Sequence, residues 1–235
     1  MTRVSSPEAT RRESFQLSPQ QVAYFETFGF IRLRGLFADD IERITAAFEK
    51  VFEDERNERM ETYDALHGEE RRVIVPVFID RHATLRQLRN DPRVVGVVRA
   101  LIGDDYEFAE SDGSLFWCES SWHPDIYGAP ISRYHVKLSF YLDELRGENG
   151  AIRVIPGTNH HEGAFARTLL KHFFGETSIA EVYGVDEREI PSYTVESEPG
   201  DVIVWNYRTI HGSYHGGARR RLFSISFREP AGDDS

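Results

Sequence analysis

The chain has 235 residues, with 28 Lys+Arg against 39 Asp+Glu and a formal net charge of −11; at about 150 residues per domain this is one large domain or two small ones, with enough chain for a buried core. Such an acidic balance repels phosphate backbones and anionic lipid, so nucleic acid and membrane surfaces are excluded as first expectations and a small molecule is the expected partner. The single cysteine, Cys118, removes internal disulfides and Cys-rich zinc sites, and no window reaches ~18 consecutive apolar residues or the core of a signal peptide, which together point to a cytoplasmic protein.

Residues 1–16 are charged and aperiodic and read as a mobile arm ahead of a single domain over residues 17–229, with a short tail at 230–235. Ser18-Pro19-Gln20-Gln21 predicts a capping box and an N-terminal proline for a short helix that ends near Gly29. Phe30, Ile31, Leu33, Leu36 and Phe37 then predict a strand and its turn. Asp39 or Asp40 caps a helix with the stripe Ile41, Ile44, Phe48, Val51 and Phe52. Residues 56–82, charged and without periodicity until the apolar run Val73 to Ile79, are expected to form a flap. Leu85 to Ile102 is helical, restarting at Asp91-Pro92 and stopping at Gly103.

From Tyr106 onward, short runs of Phe, Tyr, Val and Ile recur between turn signals such as Gly113, Pro156-Gly157 and Pro199-Gly200-Asp201, which predicts a β sandwich or barrel. The fold class is therefore mainly β with flanking helices. One insert, residues 160–191, interrupts it, with a helix near Ala164 to Phe174 and irregular chain to Pro191. Tyr134 to Leu142 alternates, placing Tyr134, Val136, Leu138, Phe140 and Leu142 on one face and Arg133, His135, Lys137, Ser139 and Tyr141 on the other. If the apolar face meets the helices, Arg133, His135 and Lys137 line a cavity and call for an anion; the alternative is a solvated sheet edge.

The chemistry concentrates in Trp122-His123-Pro124-Asp125, a His-x-Asp whose side chains near a strand end can point to the same side, though such a motif taken alone is more often a satisfied core or surface histidine, and in His211 at the end of a later strand. Two imidazoles and one carboxylate on one face of an octahedral ion leave three positions open, which suits non-haem iron(II) with a bidentate co-substrate and oxygen, whereas a structural zinc site is closed. By parity with His211, Trp205 and Tyr207 fall near the pocket, and Trp117 is left to the core. His160, His161, His172 and His215 read as surface residues, and Cys118 as a buried strand residue.

Leu17-Ser18-Pro19-Gln20-Gln21, Leu138 to Glu144, Glu148 to His160, Glu198-Pro199-Gly200-Asp201-Val202-Ile203 and His211-Gly212-Ser213, in this order, resemble the phytanoyl-CoA dioxygenase family over nearly all of Leu17 to Phe227. The resemblance implies a double-stranded β-helix with N-terminal helices on one sheet, and an oxygenase using iron(II), 2-oxoglutarate and O2. It implies that His123, Asp125 and His211 hold the iron and that Ser213 and an arginine near residue 220 hold the distal carboxylate of 2-oxoglutarate. Arg219, Arg220 and Arg221 are consecutive. Strand parity turns Arg220, Leu222, Ser224 and Ser226 inward, opposite Phe223, Ile225 and Phe227, and favours Arg220. Lys137 is expected beside the co-substrate, and Arg133, His135, Trp205 and Tyr207 beside the substrate.

The implied activity is oxidation of a C–H bond in a small organic molecule, as hydroxylation, desaturation or oxidative ring closure, in natural-product or antibiotic biosynthesis. Related halogenases carry Gly or Ala where this chain has Asp125, which argues for a non-halogenating outcome. Two alternatives stand beside it. A cupin-like metal hydrolase or isomerase with the same ligands has no use for Arg220 and Ser213, and a non-catalytic ligand-binding relative is marked by a missing ligand, of which there is none.

Overall fold

The computed structural model describes residues 15–58, 72–125, 133–216 and 219–230. The Ser18 hydroxyl accepts from the Gln21 amide while the Gln21 side chain accepts from the Ser18 amide, and this box starts α1 (Pro19–Phe28). Gly29, at φ 80°, ends the helix and releases the chain into β1 (Phe30–Leu33). A 3-10 turn leads into α2 (Ile41–Glu58), whose Ile44, Phe48, Val51 and Phe52 recur at helical spacing and are buried. After β2 (Arg72–Pro76), α3 (Ala83–Gln87) and α4 (Pro92–Leu101) are separated at Asp91, whose carboxylate caps the Arg93 amide.

The remaining strands are β3 (Glu107–Phe116), β4 (Ser120–His123), β5 (His135–Tyr141), β6 (Ile152–Val154), β7 (Tyr193–Val195), β8 (Val202–Asn206), β9 (His211–Ser213) and β10 (Arg220–Arg228). They form a six-stranded antiparallel sheet in the order β1-β8-β5-β10-β3-β2 and a four-stranded one in the order β4-β9-β6-β7. The two sheets enclose a cavity, as the double-stranded β-helix requires. Alternation assigns the faces of the larger sheet. Val136, Leu138 and Phe140 of β5 and Phe223, Ile225 and Phe227 of β10 join the core under the helices, with the Phe140 and Phe223 rings stacked at 4.6 Å. Their alternate neighbours face the smaller sheet.

Several sequence expectations are corrected. The flap expected over residues 56–82 is scaffold at both described ends: α2 continues through Glu58, β2 pairs with β3, and Phe78 and Ile79 are fully buried. Phe78 enters the core over Gly113, where a Cβ would fall 2.2 Å from its ring; the absent side chain on β3 is the space that holds the segment down. Residues 59–71, the centre of that expectation, lie outside the described residues, as do 1–14 of the arm and 231–235 of the tail. The arm is shorter than expected, because Phe15 already packs on the main core.

The insert holds α5 (Ala164–Phe173), as expected, and also α6 (Ile179–Tyr183), where irregular chain was expected. Ile179 anchors α6 in a satellite core with Trp122, Leu169 and Ile210. Cys118 lies in the bend between β3 and β4, half-buried, and not in a strand. Trp117 packs against the main core, as parity suggested.

Candidate metal centre and its cavity

Strands β4 and β9 pair so that His123 stands opposite His211, with ring centroids 4.5 Å apart. Two residues beyond His123, the Asp125 amide donates to the Tyr207 carbonyl at 3.0 Å, which pins the turn and brings its carboxylate to the same point. One ligand atom from each of His123, Asp125 and His211 lies within 4.8 Å of the others. The Nδ1 of His123 is 2.7 Å from the Ser121 carbonyl and that of His211 is 2.9 Å from the Thr209 carbonyl. A carbonyl only accepts, so each Nδ1 carries a hydrogen and each Nε2 is the ring nitrogen left to face the centre.

The Asp125 carboxylate is divided in the same manner. Its Oδ2 accepts from Trp205 Nε1 at 2.8 Å and lies 3.4 Å from Lys137 Nζ, which leaves Oδ1, 3.9 Å from His211 Nε2, turned to the centre. Burial alone would raise the Asp125 carboxyl, but Lys137, His211, the Trp205 bond and His123 outweigh it and hold it well below the usual carboxylate range. Burial pushes the His211 imidazole down to about 4 against the pull of Asp125, so it is neutral and able to ligate near pH 7. Two imidazoles, each held at Nδ1 by a backbone carbonyl, and one ionised carboxylate held by Trp205 fit a divalent ion with open coordination positions.

Arg220 points into the cavity, as parity indicated. Its guanidinium donates to the Gly150 carbonyl at 2.7 Å, to the Ser213 hydroxyl and to the Cys118 carbonyl, and Nε has no partner. A side chain at Gly150, where φ is 97°, would press within 2.9 Å of the guanidinium, so glycine opens the space it occupies. Among the described residues no carboxylate pairs with this buried cation, and burial draws it below its ordinary pKa. An anion at this position would complete it. Arg219 and Arg221 turn outward instead, Arg219 to Glu49 and Arg221 to Asp143 and Glu49.

The cavity measures about 630 Å³ and is lined by the three ligand residues, by Lys137, Ser139, Tyr141, Ser213 and Arg220, and by Trp205. Other expected substrate-side residues stand elsewhere. Arg133, just ahead of the central strand β5, donates to Glu107 and to the Glu229 carbonyl outside the cavity, so it is neither a cavity residue nor at an edge of the sheet. His135 packs against Tyr207, ring centroids 4.9 Å apart and tilted by 39°, behind the wall, and Tyr207 itself donates to Glu110 with Ser226 Oγ 2.9 Å away. Trp205 reaches the cavity, but its polar atom serves Asp125.

The residues that sequence reasoning missed are on the β2–β3 wall: Ile74, Pro76, Val77, Phe108, Glu110 and Asp112. Alternation along β3 would have found Glu110 and Asp112. It was masked by Ser111 and Gly113 at core-facing positions and by the register shift after Ser226, which carries Ala109 as an extra residue. The four histidines read as surface residues take structural bonds: His160 and His161 to the carbonyls of Glu26 and Arg208, and His172 to that of Thr177, while the exposed His215 uses its amide on Glu119.

A double-stranded β-helix with a 2-His-1-carboxylate face and a buried arginine beside it defines the class of non-haem iron(II)/2-oxoglutarate-dependent dioxygenases. The model of the phytanoyl-CoA dioxygenase (PhyH) family matches residues 25–222, and the chain belongs to that family. An ectoine dioxygenase from Bordetella bronchiseptica is 22% identical over 219 residues, covering 84% of this chain and 70% of the relative. Among solved structures, the non-heme alpha ketoglutarate dependent carbocyclase SnoK from nogalamycin biosynthesis superposes with a TM-score of 0.69 at 20% identity, over 91% of this chain and 84% of its own. HygX from Streptomyces hygroscopicus, with nickel and 2-oxoglutarate bound, gives 0.66 at 18% identity, over 92% and 88%. These structural likenesses establish the shared fold. No helix among the described residues is long and apolar enough to cross a membrane.

Proposed function

We propose that His123, Asp125 and His211 hold iron(II), that Arg220 and Ser213 hold the distal carboxylate of 2-oxoglutarate, and that the chain oxidises a C–H bond of a small organic molecule in natural-product biosynthesis. The observation that carries this reading is the pairing of the open three-donor face with a buried guanidinium that has no carboxylate partner among the described residues. The names of the two solved relatives, a carbocyclase from nogalamycin biosynthesis and a Streptomyces protein holding nickel and 2-oxoglutarate, support the class of chemistry.

Iron(II), when bound with 2-oxoglutarate and O2, supplies the oxidant, with succinate and carbon dioxide released. The protein's own residues do the rest. Arg220 exchanges its lone Nε and its backbone carbonyl contacts for a carboxylate, a charge-assisted bond strengthened by burial. Ser213, which touches both the Gly150 carbonyl and Arg220, turns its hydroxyl hydrogen to that carboxylate. Lys137 holds Asp125 ionised, so the metal face keeps its single anionic ligand. Tyr141, buried with its hydroxyl pKa raised by desolvation, stays a neutral hydrogen-bonding group on the same wall.

Anaerobic addition of iron(II) and then 2-oxoglutarate tests the proposal through the weak visible charge-transfer band of the chelate, followed under air by succinate release. The band is expected only when both are present. Its absence from folded, iron-loaded protein would remove the co-substrate assignment.

A further inference from the structure

Within the oxygenase reading, on which this inference rests, we propose that the substrate carries a protonated amine on an apolar body and that Glu110 is the residue that recognises it. Three cations line the cavity among the described residues, Arg72, Lys137 and Arg220. Arg220 lies at the co-substrate end. Lys137 is shared between Asp125 at 3.4 Å and Asp112 at 3.6 Å. Arg72 registers with Phe116, whose ring it and Arg220 flank at 5.3 and 5.7 Å, and six positions along β3 from Glu110 is about 20 Å of extended chain.

The opposite end of the cavity therefore carries an anionic excess. Glu110 has no ion-pair partner among the described residues; its Oε1 accepts from Tyr207, a buried phenol steadied by Ser226. His135, which interacts electrostatically with Glu110, is kept neutral by burial and by Arg228 and Arg133 and adds no counter-charge. The exposed Glu110 carboxylate shares this wall with Val77, 58% exposed, Pro76, and Phe108, which has the Asp80-paired Arg89 guanidinium 3.7 Å from its ring. A carboxylate fixed through one oxygen, without an ion pair among the described residues and with Val77 and Pro76 on the same wall, is complementary to an ammonium group on a hydrocarbon frame. The same wall repels the phosphates of an acyl-coenzyme A.

The test uses the protein loaded anaerobically with iron(II) and 2-oxoglutarate, and three probes with one apolar body: cyclohexylmethylamine, its N-acetyl derivative and cyclohexanecarboxylate. Titration calorimetry is expected to show the amine bound at least about tenfold tighter than the amide, the ratio that one charged hydrogen bond supplies. Glu110→Gln, which can still accept from Tyr207, should abolish that preference, and Glu110→Lys should turn it toward the carboxylate. Equal or weaker binding of the amine, no binding of any probe, or a preference that survives in both variants would overturn the proposal. The chelate band, recorded on the same samples, reports separately on the oxygenase reading, since its loss leaves the probe ratio measurable.

Discussion

At the residue scale, the hydrogen bond from Trp205 to Asp125 changes the meaning of both side chains. Sequence parity placed the indole near the pocket, but its Nε1 holds Oδ2 and so decides which carboxylate oxygen faces the candidate metal centre. Trp205→Phe keeps the ring against His211, 5.1 Å away, and removes only the donor. Outer-shell partners of this kind are worth about 10–100-fold in metal affinity, so a drop in that range is expected in iron(II) titration, with Asp125→Ala losing far more. Unchanged affinity in Trp205→Phe would mean that Lys137 alone fixes the carboxylate. The three consecutive arginines separate in the same way. Arg220→Ala should weaken 2-oxoglutarate binding by hundreds-fold, since breaking a buried charge pair costs about 3–5 kcal/mol. Arg219→Ala, on an exposed pair with Glu49, should leave it intact, and Arg221→Ala should lower stability through Asp143 without touching co-substrate affinity. Loss of 2-oxoglutarate binding in either outer variant would contradict the inward register of Arg220.

Among the elements, the segment after β2 shows how tertiary packing overrides a local reading. Charge and missing periodicity suggested a flap, yet Phe78 stacks among Phe48, Phe52 and Phe223, with centroids 5.2 to 5.8 Å away. Phe78→Ala should cost about 3–5 kcal/mol, read as a shift in the denaturant midpoint. A near-neutral result would restore the segment to a weakly docked role. The legible elements were those with strong local grammar: the Ser18 capping box, the Asp91-Pro92 restart, and the alternation of β5 and β10. The β2–β3 wall was illegible because a bulge and two small core-facing residues broke its period, and α6 because it rests on one buried anchor, Ile179.

For the whole molecule, charge and burial act together through pH. His135, His161 and His211 all have pKa values pushed below the ordinary imidazole value, by burial first in each case. Below about pH 6.5 the unfolded chain binds protons at these positions that the folded chain refuses, so stability falls as pH falls. Asp125, also depressed, has the same sign at lower pH, because its stabilisation is lost as the carboxylate is protonated. The metal-free protein should therefore show a Tm that declines steadily from pH 7.5 to 5 in differential scanning fluorimetry; a rise over that range would mean that other groups, protonated only in the fold, outweigh these four.

The sequence by itself determined the β architecture under N-terminal helices and the inward turn of Arg220, which are written in local periodicity, while the candidate ligand set His123, Asp125 and His211 came from the resemblance to a known family. Only the tertiary structure decided what the ligands lean on. The Trp205 and Lys137 bonds to Asp125, the burial of Phe78 against Gly113 and the placing of Glu110 on the cavity wall each join residues more than ten positions apart. Long-range pairing follows from strand order and register, which depend on the summed packing of both sheets, and no window of sequence carries that sum.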